Sequence, residues 1–319
     1  MFNYIIKKLI TLIPMVIVIT FLIYLGMELT PGDAVSYLIP PDQMANLTAD
    51  QLSALRESFG LNDPFIVRYI RWFSGLLVGD FGYSITSGVP ISSILADLIP
   101  ATLELSIAAL LVSTLLGSFL GIVSAIYKGT IMDNTLTVTG MIGVSIPQFF
   151  FGTICIIIFA LKLDWLPVGG RMAPGQMEFF DRIEYLILPA LVLGITLTAG
   201  VMRYARSSML NTMNKEYIRT ARSKGISEWK VNLIHGFRVA LSPVVVLIGF
   251  RLPMLIGGSV VIETIFGWPG IGSAFATAVR GQNYPLVMMI ALFSVLAVLI
   301  ASFLIDIIQA LLDPRIKLG

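Results

Sequence analysis

An all-α integral membrane protein with six transmembrane helices, both termini inside and a structured outside segment between helices 1 and 2 is the architecture the sequence predicts. Three observations carry it. Of the residues, 56% are hydrophobic and only 13% are charged, with mean hydropathy +0.89, and an ordinary soluble domain carries about twice that share of charge. Apolar runs long enough to cross a bilayer core recur along the chain. Lysine and arginine crowd the segments that these runs place on one side, namely Lys7, Lys8, Lys128, Arg203, Arg206 and the 215–238 stretch, and thin out in the longer segments on the other.

The chain divides into an N-terminal span (1–29), an outside helical segment (30–98) and a five-helix core (99–319). Lys7 and Lys8 precede an apolar run from Leu9 to Leu29, too long for a signal-peptide core and without a small-x-small cleavage site, so an uncleaved first span is expected. In the 30–98 segment Thr48 and Gln51 form a capping box ahead of Leu52, Leu55 and Phe59, with Gly60 as the stop. Pro64 can open a second helix whose Phe65, Tyr69, Trp72, Phe73 and Leu76 make one apolar face. That face reads either as a cap packed on the membrane domain or as a docking surface for a soluble partner.

A second span is expected from about Ile99 to Tyr127 and a third from about Leu136 to Leu161. Pro147 sits inside the third, where a proline frees a carbonyl and kinks the helix, and Gln148 beside it is a candidate lining for an aqueous path; a packing kink is the alternative. Residues 162–184, rich in Gly and Pro, form an outside loop, and a fourth span runs from about Tyr185 to Met202.

Next comes the longest polar stretch of the core, within a loop of about 203–242. Asn214 can cap a short helix that begins with Glu216 and ends with Arg222 and Lys224, the charge order that a helix dipole favours. Gly225 supplies a left-handed stop, and Ser227 can cap a second helix whose Ile226, Trp229, Leu233, Phe237 and Ala240 lie on one stripe. Such a stripe calls for a partner.

Pro243 introduces a fifth span, to about Ile262. It carries Arg251, which either pairs with Asp306 of the sixth span or faces an aqueous path and a cargo carboxylate. Gly257, Gly258 and Ser259 leave room for close helix approach or a moving solute. Gln148, Arg251, Gly257, Ser259 and Glu263 are the candidate path residues. Gly267 to Gly272 reads as an outside loop in which Trp268, Pro269 and Gly270 dip toward the path, or as an aromatic-belt turn. A short helix to Arg280 and a sixth span, about Pro285 to Leu312, complete the chain, with Arg315 and Lys317 inside.

Several chemistries find no residues to carry them. The sequence has no G-x-x-x-x-G-K-[ST] and no H-E-x-x-H, and its one histidine, His235, falls in the inside loop. Cys155 is the lone cysteine, so no disulfide forms within the chain. No catalytic or metal site is expected, and the basic loop matches positive-inside sorting and anionic lipid rather than nucleic acid.

EYIRTARSKG followed by HGFRVALSP resembles the coupling loop of the membrane subunits of ABC importers, in the version carried by the oligopeptide, dipeptide and nickel permease family. Against the general signature E-A-A, three residues, G, nine residues, I-x-L-P, only Ala221 and Gly225 match; Arg219 and Thr220 replace E-A, and His235 to Arg238 replace I-x-L-P. TPGD (30–33), GLNDP (60–64), IPATLELS, SIPQFF, LDWLPVGG, ETIFGWPGIG and DPR (313–315) also resemble this family, in order. The resemblance implies the fold of a type I ABC importer permease in the cytoplasmic (inner) membrane, passing peptides, nickel or another small solute. It implies a second homologous permease subunit, two ABC ATPase subunits that hold ATP and Mg, an extracytoplasmic solute-binding protein, and no cofactor on this chain. Glu216, Thr220, Ala221, Gly225, Ser227, Trp229, Leu233 and Phe237 would then be the ATPase-coupling residues. The rival is an ion-driven secondary transporter, which favours an inverted repeat that the sequence does not display.

Overall fold

The structure, a computed structural model, describes residues 2–30, 48–58, 62–173, 179–237, 240, 242–256 and 259–312. Among them every extended element is a helix: α1 (Phe2–Glu28), α2 (Ala49–Ser58), α3 (Phe65–Leu77), α4 (Ile91–Ile126), α5 (Ile131–Ser145), α6 (Gln148–Cys155), α7 (Phe179–Met213), α8 (Glu216–Ser223), α9 (Glu228–Lys230), α10 (Ser242–Ile256), α11 (Val260–Ile265), α12 (Ile271–Arg280) and α13 (Tyr284–Leu312). Four of these, α1, α4, α7 and α13, are long and apolar enough to cross a membrane, and α5 with α6 makes a fifth if that bent pair counts as one span. The expected Gly60 stop, Gly257, Arg238 and the DPR stretch lie outside the described residues, as do Pro31 to Asp33 of TPGD.

Helices α4 and α7 form the most extensive pair, and small residues make this possible. A Cβ on Gly117 would stand 2.6 Å from Val201 Cβ, one on Gly194 2.6 Å from Val112 Cγ1, and one on Gly121 would overlap the Met202 carbonyl oxygen. The run GSFLG (117–121) is thus a small-xxx-small seam that lets two backbones touch where hydrocarbon offers no competing water. Around the pair Leu105, Ala109, Leu193, Ile262, Phe266 and Trp268 build the main core.

A second core joins α1, α3, α12 and α13. Phe21 and Tyr69 meet edge to face at 5.4 Å and Tyr24 lies 5.2 Å from Trp72, while Arg68 clasps Glu28. The apolar face expected on α3 is therefore spent on α1. The Thr48–Gln51 capping box is formed, with Thr48 N donating to Gln51 Oε1 at 2.9 Å and Gln51 N to Thr48 Oγ1 at 3.3 Å.

Several boundaries differ from expectation, each for a local reason. Helix α4 starts at Ile91, not Ile99: Ser92, Ser93 and Asp97 dilute the apolar run, yet Ile91, Leu95 and Leu98 face the core. The third span is not one kinked helix, because Pro147 is the N-cap of a separate helix set at 98° to α5. Helix α6 continues as a π-helical turn, Ile156–Lys162. Helix α7 runs on at both ends, to Phe179 and Met213. The fifth span stops at Ile256, and Ser259 caps the short α11.

Candidate functional site

Helix α8 begins one residue later than expected, with Lys215 and not Asn214 as N-cap and no side chain capping it. Glu216 lies in its first turn and Arg222 in its last. Its end matches the sequence reading closely: Gly225 has φ +72°, Ile226 N donates to Ala221 O at 3.4 Å and Gly225 N to Arg222 O at 2.9 Å. These are the two bonds of a Schellman motif. Ile226, Ile218, Ala221 and Val231 close a small core beneath the turn. Across it Arg222 donates to both Glu228 oxygens, at 2.8 and 3.2 Å.

Beyond the turn the expected second α-helix is corrected. Ser227 stands at the N-cap position without its hydroxyl capping anything, α9 lasts three residues, and Val231–Phe237 winds as π-helix. The wider turn splits the expected stripe. Ala240 and Phe237 pack against Ile122, Ala125, Met209 and Met213 at the ends of α4 and α7, whereas Trp229 is 70% exposed and Leu233 and Ile234 are also exposed. Trp229, Leu233 and Phe237 form one wall of an apolar groove of about 750 Å³ whose other wall is α4, from Thr114 to Tyr127. Thr220 and Glu216 face solvent, Thr220 Oγ1 donating to Glu216 O at 3.0 Å. The element is therefore fastened to the bundle by one side and open on the other.

The candidate path residues do not all converge. Gln148, at the 98° break, donates to Thr196 Oγ1 of α7 at 3.3 Å. Arg251 does not pair with Asp306: its Nη1 donates to Leu197 O at 2.7 Å, and Asp306 takes Lys8 at 2.7 Å. Lys8 is the nearer, because α1 packs along α13. A cavity of about 670 Å³ opens between α5 and α7, lined by Thr137, Ser145, Arg203, Arg206, Ser207 and Asn211 among others.

Glu263, expected on the path, is sealed instead at 0% exposure. Its carboxylate accepts from Thr102 Oγ1 at 3.2 Å and from Ser273 N at 2.8 Å, so it closes the first turn of α12. A Cβ on Gly270 would collide with that carboxylate. Trp268 is likewise wholly buried, its Nε1 donating to Ala101 O at 2.8 Å. Neither a dipping gate nor an aromatic belt describes it. Pro269 alone of the three stays exposed.

Three polar clusters went unread in the sequence. Asp133, buried at the start of α5, accepts from Arg206 at 2.9 and 2.8 Å, from Ser124 and from Gly129 N. Glu104 binds Arg171 and Arg182. Asn283 donates to Ser84 and Thr86, tying the 80–90 loop to the start of α13. Apart from Gly129, four residues from Asp133, these partners lie 9 to 199 residues apart, beyond any periodicity; only the GSFLG seam left a readable signal.

With this geometry in hand the chain can be set beside known proteins. Residues 117–318 match the family described as binding-protein-dependent transport system inner membrane component, and residues 1–106 match its N-terminal membrane component. The oligopeptide transport system permease protein AppB of Bacillus subtilis is 38% identical over 316 residues, covering 98% of this chain and 99% of that one. The di/tripeptide transport system permease protein DppB of Pseudomonas aeruginosa is 34% identical over 337 residues, with 99% of both chains covered. The glutathione transport system permease protein GsiC of Salmonella typhimurium is 33% identical over 317 residues, again with 99% of both. Among solved structures, the MetNI methionine ABC transporter in an inward-facing conformation shares the fold, with TM-score 0.58 and 16% identity over 70% of this chain and 98% of that one. The chain thus belongs to the binding-protein-dependent transport system inner membrane components, as a multi-pass permease subunit.

Proposed function

We propose that this chain is one permease subunit of an ATP-driven importer that carries peptides inward, and that residues 216–237 are where it meets the ATPase. The observation that carries the reading is the half-fastened element itself. Gly225 and the Ala221–Ile226 cap hold α8 rigidly against the turn, Phe237 and Ala240 seat it on α4 and α7, and Trp229 stands 70% exposed on the rim of the groove. An exposed aromatic on a rigid support is what a protein interface uses as an anchor. A push there is delivered to the two most closely packed helices of the bundle.

The full complex comprises this chain, a second homologous permease subunit, two ATPase subunits that hold ATP and Mg, a binding protein outside and the surrounding lipid. The chain crosses the membrane six times, with α5–α6 and α10–α11 as the two broken crossings. The Lys8–Asp306 pair supports this, since it brings the first helix's start and the last helix's end to one side. Peptide cargo is supported by the relatives from oligopeptide and di/tripeptide transport systems.

The test is crosslinking and transport in the assembled complex. Ser223→Cys and Ser227→Cys should each crosslink to an ATPase subunit, and Ser53→Cys and Ser74→Cys should react with an impermeant maleimide from outside. Failure of the crosslinks in an intact complex removes the coupling role. Transport by this chain reconstituted alone would favour the ion-driven rival.

A further inference from the structure

Most arginines in this bundle are matched with acids, with three exceptions among the described side chains, one of which, Arg280, donates to Ala276 O at the end of α12. Arg206 has Asp133, and Arg171 and Arg182 share Glu104. Arg251 and Arg203 have no carboxylate partner among the described residues. Arg251 spends one N–H on Leu197 O and lays its guanidinium over Gly200, whose missing side chain makes the space. Gly200 and Arg203 are three residues apart on α7, so the two guanidinium groups gather on one face. That face continues into the cavity between α5 and α7, where Arg203, Arg206, Ser207 and Asn211 are lining residues.

Arg251 lies nine residues into α10 from Ser242, about 14 Å along a helix read as part of a crossing, and a bare cation there is not left facing lipid. Arg203 follows the expected end of the fourth span at Met202, ten residues before the end of α7. A guanidinium also has five donors in a planar fork suited to a carboxylate, and Arg251 has used one.

We propose that Arg251 and Arg203 form an anion way-station in the inner half of the path, which takes the free carboxylate of the cargo as it passes α7. This rests on the peptide-importer reading. Arg206, held by Asp133, is a wall of the same cavity and not a member of the pair. The site would favour peptides with a free C-terminus over the same peptides capped as amides.

Two measurements decide it. Proteoliposomes bearing the complete transporter and its binding protein receive a mixed library of two- to five-residue peptides, as free acids and as C-terminal amides, and import is read by mass spectrometry. The acid-to-amide import ratio should fall several-fold in Arg251→Gln and in Arg203→Gln, with ATPase activity and assembly retained, and recover in Arg251→Lys. Because the binding protein is the same throughout, any change belongs to the permease; an unchanged ratio overturns the proposal. Import of neither library by the wild-type complex defeats the peptide reading, and the charge site is then judged by the second measurement alone. Here Ser207→Cys, in a Cys155→Ala background, is modified by anionic and cationic methanethiosulfonates of similar size. Each arginine within roughly 7 Å should favour the anionic reagent by about sevenfold in water, and Arg203→Gln with Arg251→Gln should abolish the preference. No preference in the assembled complex, or one found only in the isolated subunit, means that a neighbouring subunit's acid covers the arginines and overturns the site.

Discussion

Replacing Gly225 tests the coupling element at its most exposed assumption. Its φ of +72° is left-handed, and a Cβ built there meets nothing within 4 Å. The penalty for a side chain is therefore backbone strain alone, about 1 to 2 kcal/mol for an L-residue in that region. Helix α8 has only eight residues, too few to hold without its cap, so this strain falls on the Ala221–Ile226 and Arg222–Gly225 bonds. A shift of about 1.4 kcal/mol is tenfold in the ratio of seated to unseated element. Because neighbours play no part, the order of substitutions should follow left-handed tolerance and not size. Gly225→Asn should keep most ATP-driven uptake, Gly225→Ala should lose several-fold, and Gly225→Val, strained further by its branched Cβ, should approach background. All three should insert and co-purify with the ATPase subunits, whose hydrolysis in the reconstituted complex should persist. Wild-type uptake by Gly225→Val, or Asn as damaging as Val, refutes the argument.

Trp229→Ala should leave the stability of the purified subunit within about 0.5 kcal/mol of wild type, because the side chain is 70% exposed, and should weaken co-purification with the ATPase. Trp268→Ala should do the reverse, lowering subunit stability by about 3 to 5 kcal/mol in thermal unfolding through the cavity left behind, while Trp268→Phe, which removes the Nε1–Ala101 O bond and leaves a smaller cavity, should lose about 1 to 3 kcal/mol. Asp133→Asn should destabilise by about 3 kcal/mol, the low end for a broken buried pair, since Arg206 keeps 30% of its side chain exposed; Asp133→Leu with Arg206→Met should recover most of it.

Local signals were legible and distant ones were not. The Thr48–Gln51 box, the Gly225 stop and the start of α3 after Pro64 are each written within a few consecutive residues, and each folds as its chemistry dictates. Span ends were misplaced where polar residues sit on the outward face of a helix whose other face is core, as at Ser92, Ser93 and Asp97 of α4. Of the two readings of Arg251, pairing with Asp306 fails because helix adjacency, not charge sign, assigns Asp306 to Lys8. From the sequence Glu263 reads as a path residue, and Trp268 as part of a turn whose glycines permit close approach to the path. In the structure those glycines serve tight burial, Gly270 by yielding its side-chain volume to the Glu263 carboxylate. Thr102 and Ala101, which receive Glu263 and Trp268, are more than 160 residues away in sequence.

The π-helical stretch Val231–Phe237 makes the polypeptide count itself a variable. Relative to an α-helix, a π turn accommodates an extra residue, and one residue is about 100° of azimuth. Deleting a single residue between Val231 and Phe237 would let the segment tighten to α-geometry while Phe237 and Ala240 kept their seat on Met209 and Ile122. Trp229 would keep close to its present bearing beside Leu115 and Phe119 on the rim of the groove, because the π stretch already absorbs the extra residue that an α-helix would turn into a rotation. Loss of one residue here is thus nearly silent for the direction of the anchor, whereas one residue added within the three-residue α9, after Trp229, would turn it by about 100°.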